Sequence, residues 1–257
     1  MSHAAERLEA APLFSIITAV FNGAGTIADS IRSVAAQSCR DFEYIVLDGA
    51  STDGTPAVLE EYAGCIDYWK SEPDSGIYNA WNKGLAAARG EWIAFLGAGD
   101  LYAADALQQY AHAIASLPDR NCHYISSRVR LTMGARVLRT IGSAWTWPAF
   151  SRHMTVAHVG SMHHRSLFEQ YGRFNESYRI CGDYELLLRP RDGLRAAFFP
   201  GETATMAFGG VSNSNIRLAL DEQQRAKCSS GGRSAWRCAL ERRTAYIRDR
   251  ARSLIWY

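Results

Sequence analysis

The spacing of apolar and polar residues changes several times along the chain, and each change marks an element. Residues 13–20, "LFSIITAV", are an apolar, β-branched run ended by "FNGAG", the pattern of a buried strand and a turn. In "TIADSIRSVAAQS", Ile27, Ile31, Val34 and Ala35 recur at helical spacing and predict a helix laid on a sheet. "FEYIVLD" (42–48) reads as a second strand. "GASTDGT" reads as a loop in which Ser51 or Asp53 can cap the helix "TPAVLEEYA", with Pro56 in its first turn. "CIDYWKSE" follows as a third strand, "GIYNAWNKGLAAARG" as a helix closed by Gly90 at its carboxyl end, and "EWIAFL" as a fourth strand. This β-α-β-α-β-α-β alternation with short loops predicts a mostly parallel sheet with helices on both faces.

Beyond Asp100 the pattern loosens. "LYAADALQQYAHAIASL" reads as a helix, and "CHYISSRVRLTMGARVLRTIG" as two strands around the turn "MGA". Residues 145–165, rich in Trp, His and Met, keep no clear period. "RSLFEQYG" and "DYELLLR" read as short helices, "AAFFP" and "TATMAF" as late strands, and "SAWRCALERRTAYIRDRARSLIWY" as a terminal helix. No repeat or low-complexity linker interrupts the chain, so one domain with a C-terminal extension is the simplest organisation.

A length of 257 residues with 47% hydrophobic and 21% charged residues suits a soluble globular domain with a sizeable core. No stretch reaches the roughly 18–20 apolar residues of a spanning helix. The opening "MSHAAERLEAAP" lacks the basic-then-apolar order of a secretion signal. Cys39, Cys65, Cys122, Cys181, Cys228 and Cys238 form no C-x-x-C pair. They read as free thiols of a reducing cytoplasm, not as a zinc site or disulfide framework. The net charge of +2 hides an asymmetry: Arg225–Tyr257 carry nine Lys/Arg against two Asp/Glu, leaving 19 basic and 24 acidic residues in the rest.

Open parallel sheets bind ligands outside the carboxyl ends of their strands. Here those ends are "VFNGAG", "LDGASTDG", "SEPDSG" and "GAGD", and three of the four carry acids: Asp48 and Asp53, Glu72 and Asp74, and Asp100. "GAGTIA" (23–28) also fits the G-x-G-x-x-A fingerprint of a nicotinamide dinucleotide site, with Asp48 25 residues beyond Gly23 at the end of the second strand. Against that reading, the loop begins "FNG", which lengthens the turn, and the later acids would repel a pyrophosphate and be left without a role.

The ordered set "FSIITAVFNGAGTIADSIRSVAAQS", "FEYIVLDGASTDGT", "SEPDSGIYNAWNKGLAAARGEWIAFLGAGD" and "CGDYELLLR" resembles the family 2 inverting glycosyltransferases of bacterial polysaccharide and glycolipid biosynthesis. The likeness is dense over residues 13–110 and looser over 156–213. It implies an α/β fold of the GT-A (Rossmann-like) type: a mostly parallel sheet flanked by helices, with a C-terminal helical extension. The implied organisation is a domain over residues 12–215, with a nucleotide-sugar half (12–115) and an acceptor half (116–215), then a basic extension over 216–257.

The resemblance also implies roles. Thr18, Ala19, Phe21 and Asn22 would face the nucleotide, and Asp48 would accept a hydrogen bond from its base. Asp74, Asn79, Asn82 and Lys83 are the polar candidates on the nucleotide side, Lys83 as a cation for the diphosphate. Trp81 reads as a packing residue. Relatives carry D-x-D or D-D after the fourth strand, where it holds a divalent cation. This chain keeps only the last acid, Asp100, with Gly97 and Gly99 where acids are common. Asp100, helped by His158, would bind Mg2+ or Mn2+, and Gly99 would lie against the donor. Asp183 would be the catalytic base, and Arg189 a structural or diphosphate-facing cation. "GGVSN" (209–213) resembles a loop over the substrate. Local alternatives stand beside these: Asp48 in an Asx turn, Asp100 capping a helix beginning near Tyr102, and Asp183 capping "YELLLR".

The implied partners are a UDP- or GDP-linked sugar and a hydroxyl acceptor, saccharide or lipid-linked. No recognised nucleic-acid-binding module is present. In the basic tail, Trp236, Leu240, Ile247 and Leu254 fall on one side of a helix. That pattern suits an anionic membrane surface, which would place the protein on the inner face of the membrane; it equally suits packing on the domain or a dimer contact. Sequence alone thus yields a metal-assisted glycosyltransferase as the first reading. An oxidoreductase using "GAGTIA" and a non-catalytic nucleotide-sugar-binding relative are the alternatives.

Overall fold

A computed structural model describes residues 11–209 and 215–255, with side chains described as far as Ile247. The expected loop 209–213 falls almost wholly outside them, as does the Leu254 side chain. The first strands form as predicted: β1 (Phe14–Val20), β2 (Phe42–Asp48), β3 (Tyr68–Ser71) and β4 (Trp92–Gly97). They are joined by α1 (Ile27–Ala35), α2 (Thr55–Glu61) and α3 (Ile77–Ala87). All four strands are parallel, in the order β3-β2-β1-β4.

Near-continuous apolar strands are needed because both faces of the sheet are covered. Alternate residues go to opposite cores. Ile16, Tyr44, Val46, Ala94 and Leu96 face α1 with Ile27, Ile31 and Val34. Ile17, Ile45, Leu47, Ile93 and Phe95 face α3 with Tyr78, Trp81 and Leu85. Each fully buried Val, Leu, Ile or Phe among them contributes about 1.5–3 kcal/mol.

After β4 the sheet becomes mixed. A two-residue β5 (Leu101–Tyr102) precedes α4 (Ala106–Ala115), so the helix expected near Tyr102 starts four residues later. The hairpin β6 (Tyr124–Met133) and β7 (Arg136–Ile141) forms around Gly134, whose φ is +57°. Residues 145–165 supply α5 (Trp147–Phe150), a tight turn at His158–Gly160 and β8 (Ser161–His164). β8 bridges the two halves: it pairs antiparallel with β4 and with β6.

After β8 come α6 (Arg165–Tyr171), α7 (Gly182–Leu188) and β9 (Ala196–Ala207). The two late strands expected are this one continuous strand, parallel to β6 with register shifts near Arg128. The sheet therefore reads β3-β2-β1-β4-β8-β6-β9-β5, with β7 on β6. The chain closes with α8 (Ile216–Ser229) and α9 (Ala235–Ile255). Gly90 does not end α3 as a left-handed cap. It lies three residues beyond the helix, where a Cβ would meet the backbone of Phe14 and Ser15 at 2.5–2.6 Å. Glycine is required there for close chain approach, not for helix termination.

Candidate active site

Parallel pairing puts the carboxyl ends of β1 to β4 on one edge, and their loops are tied together there. The Asn22 N–H donates to Ser51 Oγ at 2.7 Å, the Gly23 N–H to Thr55 Oγ1 at 2.9 Å and the Ala24 N–H to Asp53 Oδ2 at 3.1 Å. Asn22 Oδ1 in turn accepts the Thr52 N–H at 3.0 Å. These bonds bear on the dinucleotide reading. The backbone N–H groups of "NGA", which a pyrophosphate would need, are already donated to side chains. One acceptor is the Asp53 carboxylate, held below its usual pKa by Thr55 and the Ala24 N–H, so the loop already has its anion.

Phe21, Asp48 and Asp74 converge next to this seam. Phe21 stands 65% exposed at the end of β1, an aromatic face open to solvent. Asp48 is 2% exposed. Its Oδ2 accepts the Ser51 N–H at 3.1 Å and the Ser71 hydroxyl at 2.5 Å, and its Oδ1 accepts the Ser51 hydroxyl at 2.5 Å. A local bond to the N–H three residues on thus stands in place of the expected Asx turn, leaving Oδ1 with one lone pair uncommitted. At Gly49 a Cβ would sit 2.7 Å from Asp74 Oδ2 and 3.3 Å from Phe21. The missing side chain lets three strand-end loops meet at one point. Asp74 Oδ1 also accepts the Gly76 N–H at 2.8 Å, fixing the entry to α3.

Several expected nucleotide contacts are occupied inside the protein. Thr18 is fully buried in β1 and accepts the Tyr44 hydroxyl at 3.0 Å. Ala19, one residue on, sits in register with Leu47 and Gly97. Asn79 donates to Glu176 Oε2 at 2.8 Å, and Asn82 donates to Glu176 Oε1 at 2.8 Å and to the Phe174 carbonyl at 2.9 Å. The Phe174 N–H returns a bond to Asn82 Oδ1 at 3.0 Å. Lys83 pairs with Glu72 at 3.0 Å and donates to the Pro73 carbonyl at 2.9 Å. The amides therefore clamp α3 to the segment that leads to Asp183, and the lysine braces the β3–α3 loop. Trp81 packs in the core against Phe95, with ring centroids 4.9 Å apart.

Asp100 ends the "GAGD" turn. Its N–H donates to the Gly97 carbonyl at 3.0 Å, and Gly99 adopts φ +98° with its N–H on Ser30 Oγ at 2.8 Å. A Cβ at Gly97 would lie 2.8 Å from Asp100 Oδ2. The glycine that replaces the family's acid is therefore the space into which Asp100 folds back. Burial pushes the Asp100 carboxyl up to about 7, against the opposing pull of the Gly97 and Ala207 N–H groups. The residue is closely ringed by protein yet keeps part of its surface open. With α4 capped at Asp105, Asp100 does not cap a helix.

Asp183 lies in the first turn of α7, after the cap residue Cys181, so it does not cap that helix. Its Oδ1 accepts the Tyr184 N–H at 2.8 Å and lies 3.3 Å from the Tyr78 hydroxyl, which donates mainly to the Ile180 carbonyl at 2.7 Å. Burial pushes this carboxyl up to about 6, although the Tyr184 N–H and the Tyr78 hydroxyl both favour the charged form. It too keeps part of its surface open. The segment before it is fixed from two sides. The Arg179 guanidinium donates to the Ser75 carbonyl, and the Glu222 carboxylate of α8 accepts the backbone N–H groups of Arg179, Ile180 and Cys181 at 2.7–2.9 Å. Tyr78, Arg179 and Glu222 escaped the sequence reading. No motif marks a carboxylate whose partners are backbone N–H groups some 40 residues away.

Arg189 is structural: its Nε bonds Glu185 at 3.0 Å and its Nη1 the carbonyls of Tyr171 and Arg173 at 2.8 Å. His158 stacks on both Trp81, at 5.1 Å between ring centroids, and Phe95, at 5.7 Å. Burial pushes its imidazole down to about 3, so the ring is neutral, and its Nε2 has no hydrogen-bond partner. Among the described residues no group of three or more His, Cys, Asp or Glu is arranged to hold a metal ion. The β4-end turn itself presents one carboxylate, that of Asp100, and hard cations commonly take one or two protein carboxylates beside substrate phosphates.

Comparison with known proteins bears on this geometry. Residues 15–138 match the family model described as "Glycosyl transferase family 2". A protein of Mycobacterium tuberculosis named "PGL/p-HBAD biosynthesis glycosyltransferase" is 32% identical over 220 residues, covering 80% of this chain and 82% of its own. Among solved structures, S. aureus TarS 1-349 in complex with UDP-GlcNAc superposes with a TM-score of 0.68 at 17% identity, over 83% of this chain and 64% of TarS 1-349. A mannosyltransferase from Pyrobaculum calidifontis, in complex with GDP-Man and Mn2+, gives 0.64 at 21% identity, over 85% of this chain and 64% of its own. The likeness to both structures is one of fold, over just under two thirds of their length.

Proposed function

This chain belongs to glycosyltransferase family 2 and is a glycosyltransferase with the GT-A fold, and from that premise we propose that it transfers a sugar from a nucleoside-diphosphate donor to a hydroxyl acceptor with inversion at the anomeric carbon. The observation that carries the reading is the tethering of Asp183 to the strand-end loops. Tyr78 and Arg179 join its segment to the start of α3, next to Asp74. Those tethers support setting this largely enclosed carboxylate, its pKa raised to about 6, beside the edge where Phe21, Asp48 and Asp74 meet. A base with a pKa just below neutrality is mostly ionised at neutral pH yet still a competent proton acceptor.

In this reading Phe21 offers a face to the nucleotide base, the spare lone pair of Asp48 Oδ1 takes a base N–H, and Asn22 shapes the pocket through Ser51 and Thr52. Ala19 and Gly99 line it through the backbone. Thr18, Asn79 and Lys83 support it from behind. The acceptor hydroxyl gives its proton to Asp183 as its oxygen bonds to the anomeric carbon. The bond from that carbon to the diphosphate breaks on the opposite face, and its electrons leave with the nucleoside diphosphate. Asp100 is the carboxylate that would hold Mg2+ or Mn2+, with the neutral His158 Nε2 as a candidate nitrogen donor. When bound, the cation would neutralise charge on the leaving diphosphate. Relatives in complex with UDP-GlcNAc or with GDP-Man and Mn2+ support a sugar-nucleotide donor. The free state of all six cysteines fits a reducing, cytoplasmic setting.

The direct test is ligand-induced thermal stabilisation. UDP- or GDP-sugars with Mn2+ should raise the melting temperature, and NAD(P) should not. Stabilisation by NAD(P) alone would return the "GAGTIA" reading to first place.

A further inference from the structure

Helix α9 carries its amphipathic character the wrong way round for a helix that only packs on its own domain. At about 100° per residue, Trp236, Leu240, Arg243 and Ile247 share an arc roughly 60° wide. That arc faces solvent: Trp236 is 66% exposed, Leu240 58% and Ile247 57%. The side toward the body is held mostly by polar contacts. Glu241 pairs with Lys227 and Arg233, and Arg242 with Asp221, around the buried Cys238. Helices on soluble domains bury their apolar stripe and expose their ion pairs. Here the Glu241 ion pairs face inward, the Arg242–Asp221 pair is half-exposed and the apolar stripe faces out, and three large apolar side chains in one exposed line are not the scatter of single residues found on ordinary surfaces.

Charge identifies what covers the stripe. Arg225–Tyr257 carry nine basic and two acidic residues, whereas the rest of the chain is net acidic. Arg243 within the arc and Arg237 beside it have no acidic partner among the described residues, and Arg237 lies 5.2 Å from the centre of the Trp236 ring. Two copies meeting through this face would set like charges against each other. An anionic bilayer surface offers apolar depth for the stripe and phosphates for the arginines at the same level. No helix among the described residues is long and apolar enough to cross a membrane, so the helix would lie on the surface.

We propose that α9 docks the protein on anionic lipid bilayers, with Trp236, Leu240 and Ile247 inserted at the headgroup boundary and Arg237 and Arg243 among the lipid phosphates. The inference stands apart from the transfer reaction, because none of these residues belongs to the site around Asp183.

Flotation of the full-length protein with phosphatidylcholine vesicles, with and without phosphatidylglycerol, tests it. The protein should float with the anionic vesicles and not the neutral ones, and high salt should weaken binding. Leu240→Glu with Ile247→Glu should weaken partition by about tenfold or more, with melting temperature and donor binding unchanged. Arg237→Ala with Arg243→Ala, which leaves the stripe intact, should weaken it similarly and reduce the salt dependence. Wild-type protein that stays in the soluble fraction with anionic vesicles overturns the proposal. So does a solution dimer that the Leu240→Glu/Ile247→Glu variant dissociates in the absence of lipid binding, which would make a second copy the occupant.

Discussion

Glu222 accepts the backbone N–H of Cys181 at 2.9 Å, two residues ahead of Asp183. The same carboxylate takes the N–H groups of Arg179 and Ile180, so a buried side chain of α8 sets the path of the segment that carries Asp183. Glu222→Ala leaves those donors unpaired. It should cost roughly 2–4 kcal/mol of stability and lower kcat by about 10–100-fold through misplacement of Asp183. Donor affinity, measured by calorimetry, should stay within about twofold, because the nucleotide loops are not touched. Glu222→Gln, which keeps one acceptor oxygen, should recover part of kcat.

Two enclosed carboxyls give the protein a characteristic pH response. Asp183 is pushed up to about 6 and Asp100 to about 7, both primarily by burial, from an ordinary value of 3.8. In each case the folded state holds the proton more tightly than the unfolded chain does. The stability so contributed is complete below pH 3.8 and is lost as pH rises through 6 to 7. Ligand-free protein should therefore lose stability across that window. Asp183→Asn should be more stable than wild type at pH 8, by roughly 1–3 kcal/mol in denaturant titration. Activity should run the other way, with an acid limb near pH 6 as the base ionises.

Asp100 should carry the metal response alone among protein carboxylates. Asp100→Asn keeps an oxygen for the Gly97 and Ala207 N–H groups, so the fold should persist within a few degrees of melting temperature, while stimulation by Mn2+ or Mg2+ is lost. Gly97→Ala places a methyl carbon 2.8 Å from Asp100 Oδ2, so the carboxylate must shift. It should weaken metal stimulation without removing the carboxylate. Transfer assays with and without EDTA distinguish both variants from wild type.

Much of this was legible in the chain. β1, β2 and β4 show as apolar runs because helices cover both faces of the sheet, and the acids at their ends stand out against that background. The residues that escaped have distant or non-specific partners. β8 spans four residues, "SMHH", and exists because Trp92 and Ile93 offer an edge to pair with. Asn79 and Asn82 sit in a family motif that suggests nucleotide contacts, yet their partner Glu176 lies more than 90 residues away. Tyr78 is a buried position of α3, and only packing aims its hydroxyl at Ile180 and Asp183. The apolar line of α9 was visible from periodicity; that it faces outward was not.

The Asn79 assignment can be separated from the nucleotide contact that its motif suggests. Asn79→Ala removes one bond to Glu176 and should cost about 0.5–1.5 kcal/mol, with donor affinity within about twofold of wild type. Glu176→Gln should shift the melting temperature in the same direction. A large loss of donor affinity with unchanged stability would give Asn79 back to the nucleotide.

The most direct measurement of the central claim pairs sugar transfer with donor binding in Asp183→Asn at pH 7.5. The variant keeps the shape of the carboxyl and the Tyr184 N–H bond but cannot take the acceptor's proton. Transfer should fall by about 10³-fold or more while the nucleotide-sugar dissociation constant stays within about threefold. Transfer within about tenfold of wild type would remove Asp183 as the base, and with it the single-displacement account of this site.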